Sequence, residues 1–341
     1  MPPSSMNLPL HRLDHRAPMV DASQCCPGCH GGQISSLGRQ RLDGSEEFFT
    51  LGLLAPGDVL GYCQCEDCGL VFTNPRYADA TLAEYYGRVC PLNEPLRRPA
   101  DFASNPVYTR RITHRFGLVH AALALRLKPG AVVADFGGND GASLVPFVEA
   151  GFRTVLIDPG SRNRTLRSDK IEPFDSAAEV RAAGLQCDAV LNLQTLEHIL
   201  DVRAFVAEML STLKPGGLLY CEVPYERNIL TPLALGNREL TNHCHPEHIN
   251  YFSLESLRRV LALQGVTALR QSVEFVPVVY NVMPSVVLIG QRAQAPTTLD
   301  HLPQVARERL RRELNRVRLP LWVKSRLRMR ALHTAGLWPK G

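Results

Sequence analysis

The chain has 341 residues, 45% hydrophobic and 21% charged, which are ordinary values for globular protein and exclude disorder throughout. At this length about two domains are expected, with a core that needs no disulfide staples. The formal net charge of +5 is unevenly spread: from Pro303 onward eleven Lys and Arg face two acids, so the basic signal belongs to the tail and the rest is weakly acidic.

Residues 1–22 scatter charge and proline where a signal peptide needs an apolar stretch, and read as a flexible arm. The nearest candidate for a membrane span, Val276 to Gly290, is broken by Asn281 and Pro284 and falls short of the roughly 18 apolar residues required. A cytoplasmic protein is expected. In that compartment ten cysteines are read for metal or catalysis, because disulfides are rare there.

Residues 23–80 form a cysteine module. Cys26-Pro27-Gly28-Cys29 and Cys65-Glu66-Asp67-Cys68-Gly69 are two CxxC turns, each presenting two thiolates to one tetrahedral ion. Cys25 and Cys63 compete by adjacency, but only Cys26, Cys29, Cys65 and Cys68 complete both turns. Four thiolates leave no open position, so the expected Zn2+ is structural, and binding it would fold a segment poor in apolar residues. Residues 81–130 link to the next domain and include a lead-in helix over Tyr108 to Leu127.

From 131 to 292 short apolar runs alternate with helix-length amphipathic ones, the pattern of a parallel α/β sheet. Strands are expected at Ala131–Phe136, Thr154–Asp158, Cys187–Gln194 and Leu218–Val223. Helices are expected at Ser143–Ala150, Val202–Leu213 and Leu254–Gln264, with a stop at Lys214-Pro215-Gly216-Gly217. Two closing strands, Thr267–Phe275 and Val278–Ile289, read as an antiparallel hairpin at one sheet edge. His114 and His120 are taken as structural. In the basic tail, 293–341, Leu310, Leu314, Val317 and Leu321 share one helical face. Such a face either packs on its own domain or meets an anionic membrane surface or nucleic acid.

The first strand of that sheet ends in Asp135-Phe136-Gly137-Gly138-Asn139-Asp140-Gly141. An acid at a strand end, glycines behind it and a helix after them suit a nucleoside-containing cofactor across the strand tips. Asp158 ends the next strand 23 residues on, where an acid takes ribose hydroxyls. A dinucleotide predicts a related pattern, but the third glycine of G-x-G-x-x-G is replaced by Ala142. Asp135 suits the ammonium of S-adenosyl-L-methionine better than a pyrophosphate.

These residues resemble the class I S-adenosylmethionine-dependent methyltransferases, a Rossmann-like α/β fold. Within that family they resemble the sugar C-methyltransferases that carry an N-terminal zinc-binding domain. The resemblance rests on the two knuckles with Cys68-Gly69-Leu70-Val71, on Phe136 to Gly141 and on Leu213 to Gly217. It rests further on Glu222-Val223-Pro224-Tyr225 and on Pro246-Glu247-His248-Ile249-Asn250-Tyr251-Phe252. It implies that Asp135, Gly137, Gly138, Asn139 and Gly141 hold the methionine moiety, Asp158 the ribose, and Phe174 and Asp175 the adenine edge. Gln194, Glu197 and His198 lie where the fourth strand opens onto the methyl group. A small-molecule acceptor such as a nucleotide sugar is implied.

Methyl transfer is an in-line displacement, so the protein must align a nucleophile and remove its proton. The stretch His243-Cys244-His245-Pro246-Glu247-His248 is the richest source of a base: an imidazole beside a carboxylate can be tuned as a proton acceptor. By resemblance His248 is the base, with Glu247 orienting it or binding substrate. His245 stands where the family shows tyrosine, and Tyr85 or Tyr86 reaches the substrate from the module side. The same cluster also reads as a second metal site or as a structural loop. An RNA methyltransferase needs a continuous basic face, which the few Lys and Arg of the cysteine module do not supply. A noncatalytic interaction protein is disfavoured by the acids Asp135 and Asp158.

Overall fold

In the computed structural model, which describes residues 19–20, 25–41, 53, 57–89, 106–235, 238–240, 247–277, 282–293, 310–314 and 316, the apolar runs become strands of two main sheets. The cysteine module supplies β1 (Met19–Val20), β2 (Ile34–Arg41), β3 (Val59–Cys65), β4 (Val71–Thr73) and β5 (Arg76–Tyr77). Among the described residues β1 pairs with β5 alone, antiparallel, so Met19 and Val20, expected within a flexible arm over residues 1–22, are strand because β5 offers them a partner. Helix α1 (Asp79–Glu84) follows and runs into a π-helical turn at Tyr85–Val89. The lead-in helix α2 spans Pro106–Ala124.

The second domain runs β6 (Val132–Phe136), α3 (Val145–Glu149), β7 (Arg153–Ile157), β8 (Ile171–Phe174), α4 (Ala177–Ala182), β9 (Cys187–Leu193), α5 (Val202–Ser211) and β10 (Leu213–Pro224). It continues with α6 (Arg227–Leu235), β11 (Glu239–Leu240), β12 (Asn250–Tyr251), α7 (Leu254–Ala262), β13 (Val266–Pro277) and β14 (Val282–Arg292). Seven strands lie in the order β13-β14-β10-β9-β6-β7-β8, and β14 alone runs against its neighbours. The expected closing hairpin is therefore present. Pro146 sits in the first turn of α3, where a missing amide leaves no helix bond unmade.

Two expectations change. Lys214 to Gly217 do not stop the chain between elements: β10 begins at Leu213 and passes through them, with pairing to β9 lapsing between Leu213 and Leu218. The stretch between β10 and α7 is not a single loop, since α6, β11 and β12 lie in it. β11 and β12 leave the catalytic sheet and join the module's sheet, which reads β11-β2-β3-β4-β12. Isolated two-residue runs at these positions carry no strand periodicity, so only long-range pairing makes them strands.

Side chains alternate across the seven-stranded sheet. Val133, Leu191 and Tyr220 face α2 and α3, whereas Ala134, Val190 and Leu219 face α5 and α7. The second face is continuous with Leu37, Tyr62 and Phe72 of the module, so the two sheets share one core. Each such buried side chain contributes about 1.5–3 kcal/mol, enough that the module cannot separate cheaply. In the tail, Leu310 and Leu314 are buried, and Glu313 accepts from the amides of Leu254 at 2.9 Å and Glu255 at 3.2 Å. The described part of the tail thus caps α7 and packs on its own domain, while Arg311 and Arg316 face solvent. Val317 and Leu321 lie outside the described residues.

Candidate active site

The four cysteines of the two knuckles converge. Cys26 Sγ lies 3.6 Å from Cys68 Sγ and Cys29 Sγ 3.4 Å from Cys65 Sγ, with all four sulfurs within 4.8 Å of one another. The amides of Gly28 and Gly31 each point at a sulfur, of Cys26 and Cys29, at 3.3 Å. Gly69 takes φ +78° as the second knuckle closes, a conformation that favours glycine. Sharing hydrogen between sulfurs pushes Cys26 up and pulls Cys29 down from the ordinary thiol range, because four thiols at this spacing cannot ionise independently. Cys25 is exposed and Cys63 lies on β3, and neither joins the cluster. Four sulfurs with amide donors around them fit a closed tetrahedral ion such as zinc.

At the tips of β6 and β7 the second arrangement forms. Asp135 is 1% exposed; one carboxylate oxygen accepts from Ser143 Oγ and the other has no partner. Burial raises its pKa to about 7. Gly137 (φ +85°) and Gly141 (φ +75°) turn the chain, and a Cβ on Gly138 would stand 2.4 Å from the Asp135 carboxylate. The turn therefore has to be glycine, and an orphaned buried carboxylate oxygen within it suits an ammonium donor. Asp158 Oδ2 accepts from the amide of Asn139 at 3.0 Å, and Oδ1 from Arg164. Asp175 Oδ1 accepts from Ser161 Oγ at 3.3 Å, and Arg162 stacks over Phe174 at 5.9 Å. These residues lie at or just beyond the C-terminal ends of β6, β7 and β8.

The third group lies beyond the ends of β9 and β10 and in the segment before β12. Gln194, in the left-handed region at φ +54°, donates to Glu222 Oε1 at 3.0 Å and to Ser285 Oγ at 3.3 Å. Glu222 is also paired with Arg115 of α2 in a buried bridge. His198 and His248 meet edge to face with ring centres 4.8 Å apart. Nδ1 of His198 lies 3.0 Å from the carbonyl of Glu247, which places a hydrogen on that nitrogen, and 2.9 Å from the hydroxyl of Tyr86. His248 Nδ1 lies 3.0 Å from Glu226 Oε1. Burial holds both rings near pKa 4, well below the ordinary histidine value, so both are neutral at pH 7.

Tyr85 and Glu247 join by a short hydrogen bond from the phenol to the carboxylate. The carboxylate beside His248 in the sequence is thus held by Tyr85, and the one that orients His248 is Glu226. Glu226 was not among the candidates; its signal was an acid two residues beyond the end of β10, at a strand tip that opens on the crevice. Glu197 is 1% exposed with neither carboxylate oxygen bonded, and burial pushes it well above the carboxylate range. His243, Cys244 and His245 lie outside the described residues. Within them, Glu197, His198 and His248 bring ligand-type atoms within 4.8 Å of one another.

Residues 108–271 match the family model described as a methyltransferase domain. The chain is 33% identical over 148 residues to C-methyltransferase NovU of Streptomyces niveus, covering 41% of this chain and 34% of that protein. It is 30% identical over 131 residues to a ubiquinone biosynthesis O-methyltransferase of Methylocella silvestris, covering 34% and 51%. The chain thus spans between a third and a half of the curated relatives it matches first. Among solved structures it is similar to magnesium protoporphyrin IX methyltransferase (ChlM) of Synechocystis PCC 6803 with bound SAH. That likeness has a TM-score of 0.45 at 15% identity and covers 63% of this chain and 100% of that one. No helix among the described residues is long and apolar enough to cross a membrane. With the seven-stranded order and the acid-glycine turn beside that family model, residues 108–271 carry a methyltransferase domain of Rossmann-like α/β fold.

Proposed function

We propose that this protein moves the methyl group of S-adenosylmethionine to a small-molecule biosynthetic intermediate, a sugar or a related compound, with base assistance. The observation that carries the reading is the His248–Glu226 pair, a buried neutral imidazole hydrogen-bonded to a carboxylate just beyond the end of β10, in the same sheet whose β6 carries Asp135. The bound cofactor supplies an activated methyl on a sulfonium. Asp135, Gly137, Gly138, Asn139 and Gly141 would hold its methionine end, Asp158 its ribose, and Phe174 with Asp175 its adenine. Gln194 and His198 complete the wall.

With Nδ1–H donated to Glu226, the basic lone pair of His248 sits on Nε2. That atom takes the proton of an acceptor carbon or hydroxyl, leaving the nucleophile to which the cofactor would supply its methyl. Glu226 steadies the imidazolium that results. Glu247, presented by Tyr85, accepts an acceptor hydroxyl, and Tyr86 keeps His198 in place. Zn2+ held by Cys26, Cys29, Cys65 and Cys68 would be structural. Likeness to both a C- and an O-methyltransferase supports the common chemistry of base and donor. Arg39, one of the module's few cations, is bound to Glu239 at 2.7 Å, which disfavours nucleic acid.

The test is to screen nucleotide sugars and pathway intermediates for acceptor-dependent formation of S-adenosylhomocysteine. An acceptor whose turnover disappears in His248→Ala while cofactor affinity persists is the expected result. Failure of the native chain to bind S-adenosylmethionine would overturn the reading.

A further inference from the structure

The donor groups and the acceptor groups hang from different parts of the fold. Asp135 stands on β6 and Asp158 directly after β7 of the seven-stranded sheet, and both are fastened by the turn that follows β6. The loop holding Glu247 and His248 is not. It leads into β12, which pairs with β4 of the cysteine module through Asn250↔Phe72 and Tyr251↔Val71, and the amide of Thr73 donates to the carbonyl of Ile249 at 2.9 Å.

The loop holding Glu197 and His198 is gripped by the same module. The amide of Arg203 donates to the carbonyl of Pro27 and its guanidinium to that of Cys29, both at 2.9 Å, so the first knuckle is clamped to the start of α5. His30 contacts Asp201, the residue that caps that helix, at 2.9 Å, and Arg76 donates to the carbonyl of Leu200. Buried Asn250 then ties one loop to the other: its side-chain amide donates to the carbonyls of Leu196 at 3.0 Å and Ile199 at 2.7 Å. The knuckle has no slack, since a Cβ on Gly28 would come within 2.8 Å of Val260 on α7.

We infer that the cysteine module, through Arg203 and Asn250 as positioning residues, sets the placement of His198 and His248 against the donor, while donor binding itself is independent of the module. The inference rests on the methyl-transfer reading of the crevice. Removing one clamp should therefore move the imidazoles and leave the donor site intact.

The full-length, zinc-loaded chain is compared with Arg203→Ala, Arg203→Lys and Asn250→Ser. Imidazole nitrogen NMR, amide exchange, zinc content and calorimetric titration with S-adenosylmethionine are read on each. In Arg203→Ala the expected results are retained zinc, donor affinity within about twofold of native, shifted His198 and His248 signals, and exchange over 196–203 faster by about tenfold or more. Arg203→Lys should restore the native signals by keeping one donor to Cys29. Asn250→Ser should move both imidazoles together; if that variant does not fold, the two Arg203 variants decide the matter. Unchanged imidazole signals in Arg203→Ala overturn the inference, as does donor affinity that falls in step with them. Failure of the native chain to bind the donor instead sinks the methyl-transfer reading, and the imidazole signals still decide the positioning role.

Discussion

The donor side and the acceptor side of the crevice are built by opposite means. On the donor side, Asp135, the glycine turn and Asp158 lie within 24 residues of chain and need only two neighbouring parallel strands to meet. On the acceptor side, Tyr85, His198, Glu226 and Glu247 come from segments up to 162 residues apart, and the chain after His248 enters β12, which is paired with β4 of the module. Local motifs make a binding site cheaply, whereas a proton-transfer site here depends on long-range closure. The module is therefore structurally continuous with the segments that carry His198 and His248 and not an appendage.

That contrast can be broken at either end. Cys65→Ser should have the largest effect, because a structural zinc contributes on the order of 10 kcal/mol to the segment that binds it. Zinc content by emission spectroscopy should fall from one ion per chain to none, with the module's amides losing protection. His248→Ala should lower methyl transfer by about 10²–10⁴-fold, with donor affinity by calorimetry unchanged; equal loss of both would assign His248 to the donor side.

Acid should expose the acceptor side next. Both rings are neutral when folded, with pKa near 4 instead of the ordinary 6.5, so the unfolded chain takes up protons first as pH falls. These two rings should therefore withdraw roughly 3 kcal/mol of stability each between about pH 6.5 and 4. The buried carboxyls of Asp135 and Glu197, raised by burial, act in the opposite sense, so the ring contribution is read as the difference between the native chain and a histidine variant. Urea unfolding across this range should show a shallower pH slope in His248→Asn. Methyl transfer should keep its base unprotonated throughout neutrality.

On the donor side, Asp158→Ala should weaken S-adenosylmethionine binding by about 10–100-fold, the scale of charge-assisted hydrogen bonds, without moving the His248 signals. The smallest effect is expected from Ser176→Ala, which removes the cap that accepts from the Glu179 amide at 3.3 Å and should cost about 1 kcal/mol in thermal unfolding.

Much of this was legible beforehand. The CxxC turns, the acid-glycine turn and the strand-end acid are each short-range signals, since their chemistry fixes residue type and spacing together. Resemblance singles out Glu247 and His248 as a candidate pair, but it does not give the partners that each has in the fold. Glu226 and His248 are 22 residues apart but separated by α6 and β11 and share no motif, and Tyr85 lies 162 from Glu247. The strands β11 and β12 were equally hidden, because two residues have no period.

What the sequence determined alone was the set of local chemistries: four thiolates for one ion, a glycine cradle with two aspartates, and an imidazole near acids. Each follows from covalent geometry and neighbouring side chains. What tertiary structure decided was which acid serves which histidine, and that the cysteine module holds them. That choice depends on a core shared between two sheets, where burial removes water and leaves only the partners that packing brings within hydrogen-bond reach.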